Sequence, residues 1–216
     1  MNAGLILLVF IVIINIAESK KVTPELNYRP PGTYALTGKT IGGEQNLKTE
    51  PEFGVDLKFS GYASALKVGA SASRAPDGKT RINYEGGYDY AKSVSEKIDL
   101  GLGYEFHTHW VKMDNGDILN FWFEPLYGTM IWHLNDERTS FAKMNLGYAL
   151  YDDDYSSSLE ASGGLYYSLG GGIKLGRNKV LGAMYSVYNA NQKYTAADID
   201  FDIKYSNLTL SISFLF

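Results

Sequence analysis

Glu105, His107 and His109 occupy alternate positions, so an extended backbone puts all three on one face. Carboxylate and imidazole groups are what a metal site or a proton-transfer site needs. Alternate residues of a strand stand about 7 Å apart, wide for side chains that must share one ion. A metal would need further ligands from a neighbouring strand, and Asp117 and His133 are the candidates. The acidic run Asp152-Asp153-Asp154 with Glu160 could hold Ca²⁺, but it lacks an ordered ligand pattern. The favoured readings are hydrogen-bonded interior residues for the first set and solvated loop charge for the second. Asp114-Asn115-Gly116-Asp117 reads as a tight turn, because Asn-Gly accepts positive φ. Gly170-Gly171-Gly172 falls inside an alternating run with no helix after it, so it is no phosphate loop. No catalytic residue, cofactor or metal ligand is assigned.

The elements that must hold these residues are strands. From Phe53 onward apolar and polar residues alternate. Ile98, Leu100, Leu102, Tyr104 and Phe106 take one face, with Asp99, Gly101, Gly103, Glu105 and His107 on the other. Met144, Leu146, Tyr148 and Leu150 oppose Lys143, Asn145 and Gly147. At the end of the chain Leu208, Leu210, Ile212, Phe214 and Phe216 oppose Asn207, Thr209, Ser211 and Ser213. Leu119–Leu134 and Lys179–Asn189 are apolar on both faces in part, and their orientation stays open. The apolar face is bulky and the other is small or charged. A narrow barrel has little room inside, so the bulky face belongs outside, against lipid. The charges then pair within. An internal network is expected among Asp56, Lys58, Glu85, Asp99, Glu105, Glu124, Lys143 and Lys174, since an unpaired buried charge is costly. Tyr104, Trp110, Trp132, Tyr148 and Tyr167 are placed on the outside as interfacial anchors.

Composition agrees. The 216 residues suffice for one domain, and 17 Tyr with 23 Gly at a mean hydropathy near zero suit a sheet that meets lipid with alternate residues. A formal charge of −4 gives no polybasic footprint, so no nucleic-acid partner is expected. With no cysteine there is no disulfide and no thiolate metal site.

Residues 1–19 read as a signal peptide. Ala3–Ala17 is apolar but shorter than the ~20 residues a spanning helix needs, and Ala17-Glu18-Ser19 suits cleavage after Ser19. No Lys or Arg precedes the apolar run, so either the α-amino group supplies the charge or the start lies upstream. Residues 20–51 hold Pro24, Pro30, Pro31 and Pro51 and read as a periplasmic or plug-like leader, within which Thr33–Ile41 is a possible strand. Residues 52–216 form the barrel. Turns at Ala91–Glu96, Asn135–Arg138 and Gly176–Asn178 are short, and the connections between them, such as Asp152–Gly163, are longer. Pro125 inside a strand implies a bulge. Phe53–Arg74 is too long for one spanning strand, and its apolar parity flips between Ala63 and Leu66. Either a bulge bends it or a turn at Gly61–Ala63 splits it. The fold class is all-β, an antiparallel up-and-down transmembrane β-barrel of eight strands, with ten as the alternative.

Over residues 53–216 the chain resembles the outer-membrane β-barrel domain family of the OmpX and OmpA transmembrane type. The resemblance rests on Ile98–Phe106, Ala142–Tyr148, Gly164–Leu175 and Leu208–Phe216. It implies a monomer in the bacterial outer membrane, bound to its lipid. It also implies that the strand ending at Phe216 is read by the barrel-assembly machinery. It supplies no catalytic residues. The expected function is a non-enzymatic barrel in envelope structure or surface interaction. The alternative is a narrow channel for small or apolar solutes, suggested by inward Gly and the chance of ten strands. A third, weaker reading is a lipid-modifying enzyme using His107 or His109 with Ser168.

Overall fold

The structure, a computed structural model, describes residues 21–38, 43–60, 64–74, 77–114, 116–153, 159–194 and 199–215. The expected signal segment and Phe216 lie outside the described residues. The strands are β1 (Lys21–Arg29), β2 (Thr33–Gly38), β3 (Gly43–Lys48), β4 (Glu52–Ser60), β5 (Ser64–Arg74) and β6 (Thr80–Ser93). They continue as β7 (Ile98–Lys112), β8 (Ile118–His133), β9 (Ser140–Asp153), β10 (Leu159–Leu175), β11 (Lys179–Tyr194) and β12 (Ile199–Phe214). All pairings are antiparallel. β1 and β4 to β12 form a closed ring of ten, sealed where Glu25–Tyr28 of β1 pairs with Ser213–Leu210 of β12. β2 and β3 lie outside that ring.

Ten strands correct the expected eight, for two physical reasons. Phe53–Arg74 is two strands, and its parity flip marks the passage from β4 to β5. The segment assigned to a leader supplies the tenth: Val22 and Leu26 of β1 face outward, while Thr23, Asn27 and Arg29 face in. Pro125 makes no bulge. The β7–β8 register is the same on both sides of it, and the ladder simply skips Glu105 and Phe106. The long connection expected over Asp152–Gly163 is mostly strand, since β9 reaches Asp153 and β10 begins at Leu159. The two ends therefore differ less in loop length than in what surrounds the strands.

Both ends of the described chain lie at what we call the inner end, with the turns at 94–97, 134–139 and 176–178. From there to about mid-strand the outward residues are apolar and exposed, for example Leu100, Leu102, Leu146, Leu165, Leu169, Leu210 and Ile212. Trp132, Tyr148 and Tyr167 stand on this face, as expected. Further along, the pattern inverts without any slip of register. In β12 the outward residues become Ser206, Lys204 and Asp202, and Tyr205 and Ile203 turn inward, each almost completely buried. Strands of 14–17 residues exceed the roughly 9–11 needed to span a bilayer, so this outer part projects beyond it.

The outer part is built differently. The β6–β7 ladder ends at Glu85↔His107. Beyond it, Thr49 bridges Val111 of β7, and β2 pairs with β12 from Ser206 to Phe201. Here the sheet runs from β7 to β12, then β2 and β3, and returns to β7 through that bridge. Eight strands enclose the outer section and ten the inner one. β2 and β3 extend β1 and β4: from Arg29↔Glu52 to Thr33↔Lys48 both chains advance four residues. The joint between them is Pro30-Pro31-Gly32 facing Thr49-Glu50-Pro51, where Gly32 N donates to Thr49 Oγ1 at 2.8 Å. Proline cannot donate to a ladder, and three of these six positions are proline.

An eight-strand interior is just wide enough to be filled by side chains, and here aromatic rings fill it. Tyr34 meets Phe121 with centroids 4.7 Å apart, Phe123 meets Tyr151 and Tyr188 at 5.0 Å, and Phe121 meets Tyr205 at 5.2 Å. The Tyr34 and Tyr151 hydroxyls are 2.9 Å apart. Burial holds the Tyr34 pKa above the ordinary tyrosine value, so its proton stays available to that bond.

Candidate functional site

Below the aromatic plug the lumen has two unlike walls. On β1 and β4 to β7 many inward residues are charged, and most of those charges are paired. Arg29 spans Glu52, at 3.4 Å, and Glu85, with a shorter contact. Lys67 lies 3.7 Å from Asp56 and 3.5 Å from Glu85. Asn27 Nδ2 donates to Asp56 at 2.6 Å, and Ser71 Oγ donates to Glu52 at 3.2 Å. His109 Nδ1 is 3.0 Å from Glu52, and His107 lies between Glu85 at 3.5 Å and Glu105 at 3.3 Å. The Tyr127 hydroxyl is 2.9 Å from both Asp89 and Glu105, and Lys143 reaches across from β9 to Asp89 at 3.5 Å.

The expected network is thus present in part. Asp56, Glu85, Glu105 and Lys143 belong to it. Glu124 points outward and accepts a hydrogen bond from Tyr104 at 2.9 Å. Asp99 sits at the inner rim with His133 at 2.9 Å and Arg138 at 3.6 Å. Lys174 is exposed beside the turn at 176–178, and Lys58 faces the lumen without an ion-pair partner among the described residues. Sequence reasoning missed Arg29, Glu52 and Lys67. Their signal was inward parity, hidden by the leader assignment and by the unsplit strand.

The chemical candidates do not converge. His133 is at the inner rim and Asp117 in the outer β7–β8 turn, so neither joins His107 and His109. Among the described residues no group of three or more potential metal ligands forms. Ser168 accepts a hydrogen bond from Tyr166, while both imidazoles are engaged by carboxylates. Asp153 is buried and accepts from Tyr151 and Gln192; Asp154 lies outside the described residues, as does the side chain of Glu160. Gly116 has φ +91°, as the turn requires.

Close approach explains one glycine. A Cβ on Gly69 would stand 1.6 Å from Asp56 Oδ1. Gly69→Ala is expected to push Asp56 off Lys67 and to destabilise the barrel by about 1–3 kcal/mol. A urea midpoint equal to that of the parent protein would contradict this.

Around the cavity the opposite wall, β8 to β12, is neutral apart from Lys143. Thr129, Asn145, Ser168, Ser186 and Asn207 stand directly opposite one another on five successive strands. At about 4.8 Å per strand the row spans about 19 Å of arc. All five are buried. Between the walls is a cavity of about 470 Å³, floored by Tyr166 and Tyr188. It reaches Ser60 and Ser64 at the inner end, and none of the outer aromatic residues Phe121, Phe123 and Tyr151 lines it.

No family model and no curated protein matches the sequence. Solved structures do. The outer-membrane protease OmpT from Escherichia coli matches with a TM-score of 0.52 at 8% identity, over 92% of this chain and 97% of that one. An outer-membrane channel from Pseudomonas putida F1 gives 0.43 at 11% identity, over 91% and 96%. OprG from Pseudomonas aeruginosa gives 0.36 at 12% identity, over 92% and 98%. The likeness to OmpT is one of fold alone. A closed sheet that turns its apolar side outward over its inner half needs lipid around it, and OmpT shares its fold: this chain is a transmembrane β-barrel of the bacterial outer-membrane type.

Proposed function

We propose that the protein is a non-conducting, non-enzymatic barrel that serves envelope structure or surface interaction. The observation that supports it is the aromatic filling of the eight-strand outer section, set above a cavity that none of Phe121, Phe123 and Tyr151 lines. His107 and His109 are buried and held by carboxylates, which favours a structural role for them over a catalytic one. The ten-strand ring within the lipid is closed and offers no edge to another chain, which supports a monomer. β12 presents the C-terminal strand to the assembly machinery.

The refolded protein, shown to be inserted, is expected to give no unitary current steps in a planar bilayer. Reproducible steps would replace this reading with that of a narrow channel.

A further inference from the structure

Two opposite charges that line the cavity have no ion-pair partner among the described residues: Glu25 of β1 and Lys58 of β4. They are diagonal neighbours. Glu25 stands opposite Asp56, two residues before Lys58 on the same strand, and such neighbours lie about 7–8 Å apart. Side chains of this length ordinarily close that gap. Here their surroundings hold them apart. Ser213 Oγ donates to the Glu25 carboxylate and draws it toward β12. Lys67, directly opposite Lys58, takes Asp56 and Glu85 for itself, and like charges directly opposite one another repel. Glu25 and Lys58 are only partly buried, unlike Asp56, so the cavity reaches both.

The remaining charges around the cavity are paired: Arg29 and Lys67 with Glu85, His107 with Glu105, and Lys143 with Asp89. A ligand with a single charge would satisfy one open group and leave the other stranded. A ligand with none would leave both. One anion and one cation on the same small molecule satisfy both and break no existing pair. Across the cavity the wall offers apolar contact through Ile131 of β8, Phe141 of β9 and Met184 of β11. The Phe141 ring lies over Gly172, where a Cβ would stand 2.8 Å from it. The volume of about 470 Å³ falls within the ~300–1,000 Å³ of small-molecule sites. We propose that the cavity binds a zwitterion, an α-amino acid with an apolar side chain, admitted from the inner end. Its carboxylate meets the Lys58 ammonium, its ammonium meets the Glu25 carboxylate, and its side chain turns toward Ile131, Phe141 and Met184.

The test is calorimetric titration of the refolded full chain, in non-ionic micelles, with L-leucine. N-acetyl-leucine lacks the ammonium, leucinamide lacks the carboxylate, and glycine lacks the side chain. Saturable binding of leucine is expected, with each of the other three about tenfold weaker or worse. Lys58→Met is expected to weaken leucine and N-acetyl-leucine and to leave leucinamide unchanged. Glu25→Gln is expected to weaken leucine and leucinamide and to leave N-acetyl-leucine unchanged. A misfolded variant would lose all of them alike, so the crossed pattern separates lost contacts from lost folding. Lys58 has no ion-pair partner to lose, so the melting temperature of Lys58→Met is expected to equal or exceed that of the parent. The proposal is overturned if the folded protein does not bind leucine, if glycine or either derivative binds as tightly as leucine, or if either variant binds leucine as the parent does. Bilayer current reports on the aromatic outer section and is independent of this result.

Discussion

Arg29→Met is expected to destabilise the barrel by about 3–5 kcal/mol, the cost of leaving buried charges without their partner. Arg29 stands between two carboxylates, Glu52 and Glu85, and all three are buried. Methionine fills much of the same volume, so the loss reports charge more than packing. Lys67 still serves Glu85, and His109 still lies on Glu52, which keeps the expected cost at the ordinary scale for such a break. Adding Glu85→Gln to Arg29→Met should recover part of it, since one stranded charge is then gone. The measurement is the urea midpoint of the refolded protein in vesicles. A shift worth under about 1 kcal/mol would mean that the guanidinium is solvated from the cavity and that the wall is not a buried network.

The second large effect concerns the outer section. Replacing Thr33–Lys48 by Asn-Gly, a dipeptide suited to two-residue hairpins, removes β2 and β3 and leaves β1 paired with β4. The ten-strand ring needs neither strand, so the protein should still refold and migrate as a compact barrel. The outer ring, however, loses the two strands that join β12 to β7. Tyr34 and Leu47 leave the aromatic cluster, and the Tyr34–Tyr151 hydrogen bond goes with them. Unitary currents are expected in planar bilayers where the parent is silent. Continued silence from folded protein would show that the wall rings around Phe121 and Tyr205 seal the lumen unaided, and that the β2–β3 pair is not needed for closure.

Much of this was legible in the residues, and the remainder was hidden for definable reasons. In the inner half, the outward leucines and tyrosines of β7, β9 and β10 are where their alternation puts them, because lipid outside and a small polar lumen inside reward one parity. In the outer half the surroundings change: water lies outside and rings lie inside. The parity of Ile203 and Tyr205 is therefore opposite to that of Leu208 and Leu210, with no slip between them. The same crossover makes Leu119–Leu134 apolar on both faces, with Trp122 outside Phe121 and Phe123. β1 was masked by Pro24, which the strand tolerates, and with it went Arg29. The neutral row from Thr129 to Asn207 was beyond sequence alone. Each member is an unremarkable inward polar residue, and only the registers of four strand pairs bring them into line.

The joint at Pro30–Gly32 also bears on how the barrel comes to be made. Pairing of Glu25 with Ser213 spans 188 residues of chain. Contacts so distant in sequence are entropically costly and tend to form late. The strand that makes this closure continues directly into β2, which docks on the next stretch of the same β12. Completing the circumference and stoppering the bore are thus consecutive moves of one short segment. A half-assembled wall has no stopper, and fluorescence from the Tyr34 neighbourhood would time the last step of assembly.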